Sequence, residues 1–286
     1  VGGGRLPAEP PSAERARVLA GYAELLGVRR ATAKSRQVAE EALATARRVG
    51  ARREEGRALG SIADALIEAD VDGAIALLRD ARRIAEEQAD VDGVGWASLQ
   101  LAVLMELTGR LEEALAAALQ GAEASRRLGA AFWDEWLLGS AAFLEFLLGR
   151  WDEADRHFHA AVERDRLTGP KGVHTRLRRA RLDIARGDFA AARRLLLEAG
   201  GLAVKFGQVH FDAQFAVPLA VARAELALWE GHDEEAVKAA ADGLAALTPT
   251  GLETDVPALF ALGLAAAAAR VERTSARRAT AEAEAA

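Results

Sequence analysis

The chain has 286 residues, 51% of them hydrophobic, with 37 basic against 43 acidic side chains, a net charge of −6 and no cysteine. The acidic balance argues against a dedicated nucleic-acid surface, which needs clustered positive charge. The lack of cysteine excludes disulfides, thiolate metal sites and cysteine nucleophiles. Alanine and leucine dominate and aromatics make up only 5%, a helix-former's composition.

Residues 1–12, with Pro7, Pro10 and Pro11, read as an extended lead-in, and Val1-Gly2-Gly3-Gly4-Arg5 carries no hydrophobic signal core. The longest apolar stretches, such as Leu262–Ala269, fall well short of the ~20 residues that span a bilayer. Together these predict a soluble, cytoplasmic chain with no membrane role. Positive charge is nearly all arginine, the lysines being Lys34, Lys171, Lys205 and Lys238, and this bias reads as compositional rather than functional.

From residue 13 onward one pattern returns. Gly149-Arg-Trp-Asp-Glu-Ala154 repeats as Gly109-Arg-Leu-Glu-Glu-Ala114, Gly231-His-Asp-Glu-Glu-Ala236, Gly187-Asp-Phe-Ala-Ala-Ala192 and, more loosely, Ala69-Asp-Val-Asp-Gly-Ala74. Each closing alanine starts a small–bulky–small or small–small–small triplet at i, i+4, i+7, as in Ala154/Phe158/Ala161, Ala192/Leu196/Ala199 and Ala74/Leu78/Ala81. Small residues there let a neighbouring helix approach closely. A terminator follows each triplet, at Ala89, Gly129, Gly169, Gly207 and Gly251, and working back from Gly50 gives a first copy, Ser35/Ala39/Ala42. The anchors at 35, 74, 114, 154, 192 and 236 lie 39, 40, 40, 38 and 44 residues apart, a period that signals stacked helix pairs. Glycine ends the first helix of a pair (A), and Asp or Glu sits in the first turn of the second (B), where the helix dipole favours it.

The predicted A helices are Ala13–Leu26, Arg52–Glu68, Gly93–Leu107, Phe132–Leu148, Val173–Ala185 and Asp212–Trp229, with a seventh from Asp255 to beyond Arg270. The fourth is apolar nearly all round, which predicts burial on more than one side. Pro218 is expected to kink the sixth or delay its start. The expected organisation is a repeat domain over 13–270 and a helical tail over 271–286.

This pattern resembles the tetratricopeptide repeat (TPR): glycine, a large residue two positions on (Trp151, Phe189, Leu111), then Ala, Phe and Ala. The departure is a repeat near 40 residues rather than 34. The resemblance implies an all-α, right-handed α-solenoid of about six antiparallel helix pairs plus a C-terminal helix, with A helices lining the ligand-binding concave face.

Motifs for catalysis are lacking. No Gly-x4-Gly-Lys-Ser/Thr loop or dinucleotide fingerprint occurs, and carboxylates fall in first turns or on exposed faces, so no enzyme activity, cofactor or metal is expected. His157 and His159 point in opposed directions on a helix and flank Phe158 as a core residue. Equivalent positions on successive A helices are Gly56, Trp96, Trp136, His174 and Pro218, counting back from each turn. Trp96 and Trp136 with the stripe His174, Arg178 and Arg181 make a candidate groove of aromatic wall and basic patch, suited to an anionic small molecule or an acidic peptide. The opposing interpretation makes the tryptophans inter-repeat core and the arginines a solvated face. Gln208, His210, Asp212 and Gln214, in the longest repeat, form a secondary candidate region. Homo-oligomerisation through the apolar fourth A helix is a further expectation.

Pro10-Pro-Ser-Ala-Glu-Arg-Ala-Arg-Val-Leu-Ala20, Leu147-Leu-Gly-Arg-Trp-Asp-Glu-Ala-Asp155, Arg181-Leu-Asp-Ile-Ala-Arg-Gly-Asp-Phe-Ala-Ala-Ala-Arg193 and Ala224-Glu-Leu-Ala-Leu-Trp-Glu-Gly231 resemble the helical-repeat region of large LuxR-type, maltose-activator-like transcriptional regulators of actinobacteria. Those proteins join a signalling ATPase, a helical-repeat sensor and a DNA-binding helix-turn-helix. The resemblance implies a non-catalytic module that senses a ligand or partner and does not itself bind nucleic acid. The alternative is a free-standing TPR-like scaffold for protein assembly.

Overall fold

The structure, a computed structural model, describes residues 10–29, 31–163, 169–206, 212–247 and 256–285. Among them are thirteen α-helices and no strand. The A helices are α1 (Ala13–Val28), α3 (Arg52–Leu66), α5 (Val91–Leu107), α7 (Ala131–Leu147), α9 (Gly169–Ala185), α11 (Asp212–Trp229) and α13 (Val256–Ala285). The B helices are α2 (Thr32–Val49), α4 (Val71–Glu87), α6 (Leu111–Arg127), α8 (Trp151–Glu163), α10 (Phe189–Phe206) and α12 (Asp233–Ala245). The fold is therefore an all-α, TPR-like solenoid of six helix pairs and a closing helix. Most of the lead-in, together with Gln208 and His210 and the side chain of Gln214, lies outside the described residues.

The turns follow from backbone chemistry. Gly149 closes α7 at φ +77°, a left-handed conformation in which a Cβ would crowd the next carbonyl. The looser repeat has alanine at the matching end of a B helix, and Ala89 is forced to φ +49°. Where aspartate begins a helix it caps it: the Asp70 carboxylate accepts from the Gly73 N–H at 2.8 Å, and Asp188 from the Ala191 N–H at 3.0 Å.

The helices group into two compact units, up to Leu144 and from Glu145 onward. In the first, each helix from α1 to α5 packs on the next, and A helices also touch one repeat on, α1 with α3 and α3 with α5. In the second, α9 with α11 and α11 with α13 do the same. These second-neighbour contacts join A helices, which makes theirs the tighter layer in each unit. Small residues also bring each B helix close to its A partner. A Cβ on Gly243 would fall 2.7 Å from the Ala220 Cβ, and one on Gly121 would collide with Ser98.

The repeat triplets form the core. Ala39, Ala42, Ala74, Leu78, Ala114, Ala118, Ala154, Phe158, Ala161, Ala192, Leu196, Ala199, Ala236 and Ala240 are all buried. Ser35 is buried too, its hydroxyl donating to the Ala23 carbonyl at 2.8 Å. Helix α7 is buried without interruption from Gly139 to Glu145, as its all-round apolar pattern requires. Pro218 lies inside α11 and does not delay its start; it removes only the N–H that would bond the carbonyl of residue 214.

The arginines correct the compositional reading. Many carry an ion pair or hydrogen bond one repeat away: Arg17 to Glu54 at 3.3 Å, Arg53 to Asp90 at 2.7 Å, Arg79 to Glu113 at 3.2 Å, Arg186 to Asp152 at 3.0 Å, and Arg193 to Glu230. Buried Asp233 is held by the guanidinium of Arg273 in the same way. Long guanidinium arms thus stitch successive repeats together within each unit, outside the apolar seam.

Two substitutions check this packing. Phe158→Ala is expected to destabilise by about 3–5 kcal/mol, because the ring is fully buried between Ala154 and Ala161. Gly149→Val is expected to cost at least ~1–2 kcal/mol from backbone strain alone. Chemical denaturation reads both, and a Phe158→Ala midpoint equal to the parent's would show the repeat frame to be misplaced.

Candidate functional site

The A-helix layer of the first unit encloses a cavity of about 490 Å³. Its walls come from α1 (Glu24, Val28), α3 (Arg53, Arg57, Ser61, Asp64), the start of α5 (Asp92, Trp96) and α7 (Trp133), with Asp90 just before α5 and Ser35, Ala81 and Ala85 from the B helices α2 and α4. The repeat puts them together, since residues one period apart on successive A helices share a face.

Glycine seats fix the two tryptophans. A Cβ on Gly60 would fall 2.7 Å from Trp96 Cζ3, and one on Gly95 would collide with the Trp133 ring. Each indole therefore lies directly on the backbone of the preceding A helix. The Trp133 Nε1–H donates to Asp92 Oδ1 at 2.9 Å. Trp136 stacks on Trp133 with centroids 5.8 Å apart and planes 13° from parallel. Both Trp96 and Trp136 are half-buried. Trp133 is the residue that sequence reasoning missed. The available signal was its glycine seat, Gly95, nearly one period earlier, matching Gly60 before Trp96.

The charges around this cavity are largely prearranged. Arg57 forks onto Glu24, with Nε and Nη2 at 2.7 and 2.5 Å, and Arg53 reaches Asp90 at 2.7 Å. Asp64 has no such cation; Gln100 Nε2 donates to it at 3.2 Å. Desolvation, reinforced by the nearby Glu24 charge and only partly relieved by Gln100, pushes the Asp64 carboxyl up to about 6.

The remaining expected site residues lie on α9 in the second unit. His174 is half-buried with its ring 5.2 Å from Phe215, and desolvation, with Arg178 beside it, drives its pKa down to about 3. It is therefore neutral at physiological pH and adds no charge to the stripe. Arg181 Nε pairs with Glu225 at 3.0 Å, so one inter-repeat contact already holds this arginine. Of the histidine pair, His157 Nδ1 meets buried Glu145 at 2.7 Å and His159 is exposed. Among the described residues no three potential metal ligands converge, and no helix is long and apolar enough to cross a membrane.

The sequence matches no protein-family profile and no curated protein sequence. Solved structures are similar in fold. The apo form of RapI superposes with TM-score 0.63 at 14% identity, over 84% of this chain and 85% of that one. A Rap protein complexed with competence and sporulation factor gives 0.59 at 15%, over 82% and 64%. Aspartyl phosphate phosphatase F from Bacillus subtilis gives 0.60 at 13%, over 85% and 62%. The chain thus spans a little under two thirds of the last two proteins. At these identities the likeness is one of helical-repeat architecture.

The raised Asp64 pKa has a signed consequence. The folded chain keeps this proton up to about pH 6, whereas an unfolded aspartate releases it near ~3.9. Stability therefore falls as pH rises through that window. Asp64→Asn is expected to melt with the parent near about pH 4 and above it near about pH 7. A melting difference that stays flat across that range would contradict the assignment.

Proposed function

We propose that this chain is a non-catalytic, ligand- or partner-sensing helical-repeat module of a signal-responsive transcriptional regulator. The observation that carries the proposal is the first unit's cavity. Four A helices contribute to it, so one occupant would touch several repeats at once and favour the spacing that fits it. Its volume lies within the range of small-molecule sites. The solved Rap protein held with competence and sporulation factor is a precedent for a factor binding this architecture. The regulator context comes from the LuxR-type resemblance of the repeat sequences.

Within this proposal Trp96 is a primary contact and Trp136 a support through its stack on Trp133. The α9 stripe of His174, Arg178 and Arg181 is the second candidate surface, with Arg178 its principal charge, and the segment of Gln208, His210 and Gln214 remains the secondary region. A second reading, the free-standing assembly scaffold, is favoured by one feature: Val18, Tyr22 and Leu25 expose an apolar stripe along α1, 40–56% open to solvent.

Two measurements separate the readings. A thermal-shift screen of amines, sugars, nucleotides and acyl metabolites should find a compound that raises the melting temperature, with the shift lost in Trp96→Ala and kept in Arg178→Ala/Arg181→Ala. Retention in Trp96→Ala and loss in the double variant would transfer the site to α9. The coding sequence around residues 1–286 should hold a phosphate-binding loop upstream and a helix-turn-helix downstream; a frame holding only the repeats would favour the scaffold.

A further inference from the structure

We infer that the first unit's cavity takes an organic cation, an alkylammonium or guanidinium head group, with Asp64 as its counter-ion and tryptophan as its wall. This deepens the sensing proposal and rests on it. Four carboxylates line the cavity, Glu24, Asp64, Asp90 and Asp92, against two guanidiniums. Both guanidiniums are committed, Arg57 to Glu24 and Arg53 to Asp90. The arginines therefore cancel two of the acids and leave Asp64 and Asp92 as net negative charge.

These two differ in what they can offer. Asp92 accepts the Trp133 indole N–H and stands in the solvent-exposed first turn of α5. Asp64 lies deeper, with a neutral amide as its hydrogen-bond partner and the carboxylate of Glu24 as its electrostatic neighbour. A carboxylate so placed is short of positive charge, and a cation entering the cavity supplies it. Indole walls suit the same guest, because an aromatic ring attracts a partly desolvated cation and buries its alkyl stem. An anion of similar size would meet uncompensated carboxylate, with the Arg57 fork taken by Glu24 and Arg53 already paired with Asp90.

The site should titrate. The ionisable groups that share the cavity with Asp64 are Glu24 on α1, whose charge acts on it directly, Arg53 and Arg57 on α3, and Asp90 and Asp92 at the start of α5, with no histidine in the lining. Binding requires the ionised carboxylate, so affinity is expected to fall about tenfold for each pH unit below the Asp64 midpoint near 6.

The test uses the full chain, titrated with agmatine, with the arginine peptide acetyl-Ala-Arg-Ala-amide and with glutarate as an anionic control. Tryptophan fluorescence and melting temperature are read together. Agmatine or the arginine peptide should perturb both, glutarate should not, and Asp64→Asn should weaken cation binding roughly tenfold or more while melting at least as high as the parent. Agmatine binding with no advantage for the peptide identifies a small-molecule source, whereas binding of the peptide alone identifies a polypeptide side chain; both support the cation. Binding of glutarate, or of a neutral compound, that is sensitive to Trp96→Ala overturns the cation inference and leaves the sensing proposal standing. Agmatine binding unchanged in Asp64→Asn overturns the role of that residue and with it the inference. If no probe and no member of the wider metabolite screen perturbs either signal, both proposals fall.

Discussion

A single helix pair in this chain cannot cover its own apolar face, and everything else in the structure follows from how the next pair covers it. The seam needs close approach, so the contact positions carry alanine, glycine or serine, and a bulky residue is admitted only where a facing gap accepts it. Phe158 between Ala154 and Ala161, and Leu196 between Ala192 and Ala199, are such cases. Alanine brings little side-chain entropy to lose and the highest helix propensity. One residue type therefore favours both the element and its packing, and the composition is the trace of that double demand.

Close packing of small residues buries little area per residue, and the arginine contacts answer this. Arg17–Glu54 and Arg53–Asp90 span the same 37 residues, each from one A helix toward the next repeat. Single exposed pairs contribute little. Here the acidic partners Glu54, Asp90 and Asp233 are themselves buried, and a buried carboxylate without its cation would be strongly unfavourable. Their main effect is on register: a repeat that slid by one helical turn would strand these acids away from their guanidiniums. Alanine surfaces are smooth enough to slide, and the charged stitches forbid it.

Sequence periodicity made most of the fold legible because the seam is local in repeat coordinates. Anchors at 35, 74, 114, 154, 192 and 236 fall in α2, α4, α6, α8, α10 and α12, and Gly149 and Ala89 mark real left-handed turns. The site was legible only in part. Counting back from each turn reaches Trp96, but the same count leads to Trp136 where Trp133 lines the cavity, since neighbouring turns of one helix face are separated by only three residues. Asp64, Glu24 and Arg57 were invisible to a search for motifs, because a helical groove draws single residues from separate repeats and none of them forms a local pattern. Pairing each large residue with a glycine about one period earlier, and each arginine with an acid about one period away, would have recovered Trp133 and the Arg57–Glu24 pair but not Asp64, whose partner is Gln100.

The same logic explains why the first unit's cavity is cut into the A-helix layer at Trp96 and Trp133. Elsewhere small residues meet, as Gly243 meets Ala220 and Gly121 meets Ser98. Where an indole replaces a small residue it can be seated only on a glycine, as at Gly60 and Gly95, and its bulk holds neighbouring helices apart. The gap so created exposes side chains from Glu24 to Trp133 that a close-packed repeat would have covered. Acids that elsewhere accept an arginine from the next repeat find the ring in its place. Asp92, bonded to the Trp133 indole rather than to a guanidinium, is such an acid; Asp64 is served by the Gln100 amide instead. The cavity and the unpaired Asp92 thus go with the tryptophans that stand in a seam otherwise made of alanine and arginine.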